Sequence, residues 1–288
     1  MKIGIAGIGK MGAGIAARLA GLGHEMMVWN RSPDKARATG LKVAPTPADL
    51  AAGCEVVISI VADAAAVNSV YAQMLPAMNG RLFIEMSTVR PEVAQKISSM
   101  VKSGGAAFVE CPVGGTVGPA KEGRLFGFVG GEAADVARAR PVLEQMCRRI
   151  EHVGPVGAGA SMKLAINLPL IVYWQSLGEA LSLVQHLKLE PARLMDILAD
   201  TSGAPNMLKN RAGAIAAALG GKDNPPSVTI DTLKKDLAEM VAEARACGYS
   251  APVTERALNC FEHASRAGLG AKDCTALPVN WSLKPHKL

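Results

Sequence analysis

Lys163 and Asn167 stand four residues apart in GAGASMKLAINLPLIVYW, a stretch otherwise made of small and apolar side chains. On a helix that spacing puts both on one face. A lysine held among apolar neighbours loses hydration, so its pKa falls and its amine can give and take a proton near neutral pH. Reduction of a carbonyl by hydride needs such a group, because the developing alkoxide must be protonated. On the residues alone a second reading is equally open: a lysine near a helix N-terminus that reaches solvent along its aliphatic stem.

A second cluster lies at the other end of the chain. GIAGIGKMGAGIA spaces Gly7, Gly9 and Gly12 as G-x-G-x-x-G, directly after the strand-like KIGIA and at the start of an Ala-rich helical run. In that context Gly7 permits a tight turn, Gly9 lets the backbone approach a pyrophosphate, and Gly12 lets the helix pack closely on the strand. The helix N-terminus then faces the anion. Gly7, Ile8, Gly9, Lys10, Met11 and Gly12 are thus assigned to a dinucleotide cofactor, against the plain alternative of a structural turn.

The second predicted strand ends in Asn30, Arg31 and Ser32. An acidic residue here would take the ribose 2′-hydroxyl of NAD; WNRS has none and offers a guanidinium fork with two small hydrogen-bonding side chains, which suits a 2′-phosphate. NADP(H) is the preferred cofactor, with NAD(H) as the second one open to the site. An exposed arginine on a turn is the competing account. Val61 and Ala62 in SIVADAAAV, and Ser87 and Thr88 in EMSTVRPE, fall at predicted C-terminal strand ends, where open α/β sheets bind ligands. Ser87 or Thr88, shortly before Pro91, equally suits a helix cap.

These groups need a frame. KIGIA, EMMVWN, EVVISIV, RLFIEM and AAFVE are apolar with little alternation, as expected of parallel strands covered on both faces. The segments between them carry helical periodicity, so the first half is predicted as an α/β, Rossmann-type doubly wound sheet. A helix or helix pair is expected at EAADVARARPVLEQMC, with Pro141 opening its second part. After HVGPVGAGA the chain becomes serially helical, beginning with a long segment interrupted by Pro169 and apolar on nearly every face, predicted to be a buried central helix. The expected organisation is a dinucleotide-binding domain over residues 1–159 and an all-α domain over residues 160–288, joined by that long helix.

Composition narrows the function classes. The chain has 288 residues and is 49% hydrophobic, enough for substantial cores. Its formal charge of +6 is scattered and only 4% of residues are aromatic, which leaves nucleic-acid binding unsupported. The six cysteines and five histidines show no CxxC or HExxH spacing, so no metal site and no disulfide framework is expected. The longest apolar run, LAINLPLIVYW, is about half of the ~20 residues a membrane span requires. KIGIA follows Met1 with no charged-then-apolar leader, and a reducing cytoplasm is the expected compartment.

GIGKMG, WNRS, MSTVRPE, ECPVGGTVGPAKEG, GAGASMKLAIN, TLKKDLAEM and GAKDCTAL occur in the order found in the β-hydroxyacid dehydrogenase family, and the chain resembles that family from residue 1 to about 278. The resemblance implies a Rossmann domain, a helical domain and an active site in the cleft between them. It also implies that Lys163 is the acid/base with Asn167 as its partner. Thr88 and, on cleft closure, Lys235 would contact the cofactor, with Asp236 beside the substrate. The substrate segment would be Val113, Gly114, Gly115 and Thr116, but Gly114 stands where the family commonly has a carboxylate-holding serine. Val228 likewise replaces a frequent phenylalanine. The expected function is an NADP-dependent oxidoreductase acting on a small β-hydroxy acid or its semialdehyde or keto partner, as a homodimer or homotetramer. The alternatives are an imine reductase on the same scaffold, against which Lys163 counts, and a catalytically silent NADPH-binding sensor. The closing LPVNWSLKPHKL lies outside the matched motifs and is expected to fray, unless Trp281 docks on a neighbouring subunit.

Overall fold

A computed structural model describes residues 1–283, and the chain divides into two compact units, Met1–Leu164 and Ala165–Leu288. In the first, β1 (Lys2–Ala6), α1 (Lys10–Gly21), β2 (Glu25–Trp29), α2 (Pro33–Arg37), β3 (Lys42–Val43), α3 (Pro47–Gly53), β4 (Val56–Ser59), α4 (Ala64–Met74), β5 (Leu82–Glu85), α5 (Pro91–Ser103) and β6 (Ala107–Glu110) alternate strand with helix. The strands run parallel in the order β3-β2-β1-β4-β5-β6. Then come β7 (Val113–Gly114), α6 (Val117–Glu122), β8 (Leu125–Gly131), α7 (Ala133–Met146) and β9 (Cys147–Gly154). β8 lies antiparallel to β6 and β7 and parallel to β9.

Strand alternation explains why both faces are covered. Ile3, Ile5, Ile58, Ile84 and Val109 enter one apolar cluster with Ile15 and Leu19 of α1 and Val142 and Leu143 of α7. Their neighbours Val57, Phe83 and Phe108 enter the other, with Leu50 of α3, Val70 and Tyr71 of α4, and Ile97 of α5. Successive strand residues point to opposite faces, so an unbroken apolar run supplies two cores at once. This is the doubly wound sheet expected from the sequence.

The second unit is helical: α8 (Ala158–Val184), in which the chain passes from one unit to the other, α9 (Pro191–Ala199), α10 (Asn206–Leu219), α11 (Ile230–Ala246), α12 (Pro252–Ala264) and α13 (Ala276–Leu283). Several expectations need correction. Of the helix or helix pair expected at residues 133–146 the structure has the single helix, with Pro141 inside it instead of opening a second part, and α8 runs through Pro169 without interruption. A proline there deletes one helical N–H bond, and packing of the rest outweighs that loss. α8 is also not buried all round: Leu164, Asn167, Ile171, Trp174, Leu177 and Leu181 form a buried stripe, while Met162, Ile166 and Leu183 are exposed. β3, β7 and β9 escaped sequence reading because two are two residues long and the third, CRRIEHVG, is too charged to resemble a core strand. The expected frayed end is a helix as far as Leu283. In α13, Leu277, Pro278 and Val279 are buried, and Gly178 of α8 supplies the clearance, since a Cβ there would lie 2.9 Å from both Pro278 and Trp281. Residues 284–288, the remainder of that tail, lie outside the described residues.

Candidate functional site

The glycine loop leaves β1 at Gly7, whose φ of 103° only glycine adopts without strain. A Cβ on Gly12 would overlap the Gly7 carbonyl oxygen, so the first turn of α1 rests directly on the loop backbone. Gly9 differs: its Cβ position has nothing within 4 Å, and as the N-cap of α1 it offers no side chain to the helix's first amides. Open space in front of uncapped, positively polarised N–H groups fits a cofactor pyrophosphate. Lys10 is exposed at the first position of α1, and the partly buried Met11 packs onto the core.

Asn30 at the end of β2 braces this loop. Its Oδ1 accepts the Ile8 N–H at 2.9 Å, and its Nδ2 donates to the Ser32 carbonyl at 3.0 Å. Arg31 and Ser32 beside it are exposed, and the Ser32 hydroxyl is not spent on capping α2. The group that could meet a 2′-phosphate therefore projects from a turn fixed to the glycine loop.

Val61 and Ala62 follow β4, and Ser87 and Thr88 follow β5. The buried Ser87 hydroxyl accepts the Val61 N–H at 2.9 Å, and the Ser87 N–H donates to Glu85 Oε1 at 2.7 Å. Neither Ser87 nor Thr88 caps α5, because the N-cap is Arg90. Thr88 is half-buried and Ala62 exposed at this edge.

Sequence reasoning missed two acids here. Ser59, Glu85 and Glu110 occupy one row across β4, β5 and β6, paired in register at the C-terminal end of the sheet. All three are buried. Burial raises the Glu85 carboxyl above its ordinary range. It pushes Glu110 up to about 7, with backbone amides of α8 opposing and the Glu85 charge adding to the rise. The available signal was a lone glutamate closing each of two apolar strands, FIE and FVE.

Glu110 leads to the lysine. Its Oε1 accepts the N–H of Gly157 at 2.5 Å and of Gly159 at 2.9 Å, which ties the start of α8 to β6. Lys163, half-buried, lies on the second turn of that helix, and Asn167 is buried one turn further on. In the substrate segment Val113 packs into the core, so only its backbone is available to a ligand. Gly114 is half-buried, Gly115 has a φ of 124°, and Thr116 is exposed with its hydroxyl not engaged in capping α6. The first unit thus brings the glycine loop, Asn30 to Ser32, Val61, Ala62, Thr88, the 113–116 segment and Lys163 into one compact body. Asn167, Lys235 and Asp236 belong to the second, where the Lys235 ammonium pairs with the Asp236 carboxylate at 2.8 Å. Val228 accepts the Cys274 N–H through its carbonyl in that unit. Among the described residues no helix is long and apolar enough to cross a membrane, and no group of three or more His, Cys, Asp or Glu could hold a metal ion.

Comparison with known proteins finds two family models along the chain. Residues 2–154 match the model of the NAD binding domain of 6-phosphogluconate dehydrogenase, and residues 157–279 match that of the NAD-binding region of NADP-dependent 3-hydroxyisobutyrate dehydrogenase. A 3-hydroxyisobutyrate dehydrogenase from Pseudomonas aeruginosa is 34% identical, the alignment covering 90% of each chain. Glyoxylate/succinic semialdehyde reductase 1 from Arabidopsis thaliana is 29% identical over 96% of this chain and 97% of its own. The solved structure of 3-hydroxyisobutyrate dehydrogenase from Mycobacterium tuberculosis with L-serine superposes with a TM-score of 0.84 at 28% identity, covering 97% of this chain and 98% of the other.

Proposed function

The chain belongs to the β-hydroxyacid dehydrogenase family, and from that premise we propose that it moves hydride between NADP(H) and a small β-hydroxy acid or its semialdehyde or keto partner. The observation that carries this reading is that α8, the helix bearing Lys163, starts from the same C-terminal sheet edge as the glycine loop, anchored there through Glu110. Ligands of such sheets bind at that edge.

When bound, the nicotinamide ring supplies hydride to the carbonyl carbon or takes it back from the carbinol. The Lys163 ammonium donates a proton to the carbonyl oxygen as that carbon is reduced, and its free amine recovers the proton in the oxidative direction. Asn167, on the same helix face one turn on, holds the reacting oxygen or orients the ammonium. Backbone amides of Gly115 and Thr116, with the Thr116 hydroxyl, take the substrate carboxylate in place of the side chain that Gly114 lacks. Arg31 and Ser32 favour NADP(H) over NAD(H) through the 2′-phosphate. Lys235 is assigned to the cofactor and Asp236 to the substrate.

A panel of C2 to C6 hydroxy acids and aldehyde acids, each assayed with NADPH and NADH, tests the proposal. Turnover that vanishes in Lys163→Ala, with NADPH binding retained, is the expected result. Turnover surviving in that variant would sink the mechanism, and tight NADPH binding with no turnover anywhere would leave a silent sensor. The proposal includes a cytoplasmic homodimer or homotetramer. Exposed apolar side chains of the helical unit, among them Ile166, Leu183, Ile197 and Val253, favour self-association. Light scattering reads the subunit number directly.

A further inference from the structure

We propose that Glu110 is the positioning residue for Lys163: its buried carboxylate fixes where α8 begins against the sheet and so where the lysine amine is held. This rests on the acid/base role of Lys163 given above.

The link between β9 and α8 is Gly154-Pro155-Val156-Gly157, in which Gly154 has a φ of 145° and Gly157 of 103°. A tether of that kind sets the helix start only loosely, so non-covalent contacts must define it. Gln95 donates to the Val156 carbonyl at a long 3.4 Å. Glu110 makes the two shorter bonds, to Gly157 and Gly159 at 2.5 and 2.9 Å. Both are amides at the helix start, which the helix itself cannot satisfy.

The surroundings are shaped for this carboxylate. A Cβ on Gly130 of β8 would overlap Glu110 Oε1, and one on Gly159 would overlap the Phe128 carbonyl oxygen and approach Glu110 Oε1 to 3.3 Å. Glycines on the strand and on the helix therefore make a slot that admits the carboxylate and lets α8 sit backbone against backbone on β8. Any tilt of that contact is transmitted to Lys163, a single turn beyond the anchored amides.

Glu110 is also paired in register with Glu85, whose Oε1 accepts the Ser87 N–H, while Ser87 in turn accepts the Val61 N–H. One row of the sheet thus orders two things: Glu85 fixes the loops assigned to the cofactor, and Glu110 fixes the helix that carries the proton donor. The titratable groups that act on Glu110 or feel its charge are Glu85 from β5 and the Cys111 thiol next in its own chain, while Lys163 is the first charged side chain along α8. Its titration near 7 makes the anchor responsive to pH in the range where the enzyme would work.

The test compares full-length Glu110→Gln, which keeps the side chain's shape, and Gly130→Ala, which fills the slot from the strand side, with wild type. The first readout needs no turnover: pulse acetylation with acetic anhydride, scored at Lys163 by mass spectrometry against the exposed Lys35 and Lys96. The Lys163 rate is expected to change by about threefold or more in both variants, as about half a pH unit in its titration would produce. Lys35 and Lys96 should not move. The second readout is kinetic: kcat falls about tenfold or more through misplacement of the amine, NADPH affinity is kept, and the limb of the kcat profile near pH 7 disappears in Glu110→Gln. A merely structural role would lower the melting temperature and leave labelling and pH profile alone. Unchanged Lys163 labelling in both variants overturns the proposal whether or not the wild type turns over. Absence of turnover in the wild type with altered labelling removes the enzymatic reading and keeps the positioning one.

Discussion

The Asn30 side-chain oxygen and the Ile8 N–H are joined by a 2.9 Å hydrogen bond, which makes the end of β2 and the glycine loop one unit. Asn30→Ala leaves that N–H without its partner, at a cost of about 1–3 kcal/mol. Loosening the loop should raise the NADPH Kd by about tenfold, one 1.4 kcal/mol step. Fluorescence titration measures it, and an unchanged Kd would detach Asn30 from cofactor binding.

Arg31 makes a separate prediction because its exposed guanidinium is not needed to hold the turn. A hydrogen bond to a charged group is worth about 1.5–3 kcal/mol. Arg31→Ala should therefore reduce the ratio of kcat/KM for NADPH over NADH by about 10- to 100-fold. A ratio that stays at the wild-type value would show that no 2′-phosphate meets this side chain.

Gly9 and Gly12 should respond in opposite ways to alanine. The Cβ of Gly9→Ala enters open space at a φ of −81°, so the fold should keep its melting temperature while NADPH affinity drops. The Cβ of Gly12→Ala overlaps the Gly7 carbonyl, so that variant should lose stability as well. Equal thermal losses in both would mean that the loop is a structural turn only.

What sequence could and could not reveal follows from the range of each interaction. The glycine loop, the apolar strands and the Lys163 to Asn167 spacing are local patterns, and the structure bears out the sheet and helices they imply. Glu110 was visible as the residue that closes a strand and opens the ECPVGG segment, but not as an anchor, because its partners Gly157 and Gly159 lie 47 and 49 residues away. The buried row of Ser59, Glu85 and Glu110 exists only once β4, β5 and β6 are in register. The fate of Trp281 was equally invisible, since it depends on the missing side chain of Gly178, far back along the chain.

Asp273, in the GAKDCTAL segment, predicts how the helical unit responds to acid. Burial opposes its ionisation, but the amides of Thr275 and Ser227 and the Arg211 guanidinium override it and hold the carboxyl down at about 2, against an ordinary 3.8. Oδ1 meets Arg211 at 2.5 Å, and Oδ2 accepts the Ser227 N–H at 2.7 Å. A depressed carboxylate contributes stability that is present above its unfolded pKa and lost as pH falls through the folded one, here about 2 kcal/mol between roughly pH 4 and 2. Asp273→Asn should be less stable than wild type at pH 7, with the gap closing in that acid window. Urea midpoints at pH 7, 4 and 2.5 check it.

Glu110 carries the opposite sign, because its carboxyl is raised from 4.5 to about 7. Between those values the folded chain binds more protons than the unfolded one, so its contribution is fully present below 4.5 and fades as pH climbs past 7. The difference amounts to about 3 kcal/mol. Glu85, also raised by burial, acts in the same direction from the neighbouring strand. Glutamine at position 110 has no charge to lose, so the stability of Glu110→Gln relative to wild type should rise steadily from pH 4.5 to 8. Denaturant midpoints taken across that range give the slope directly. A gap that stays constant with pH would mean that the carboxyl is already ionised throughout, and would remove the pH response of the α8 anchor while leaving its geometry intact.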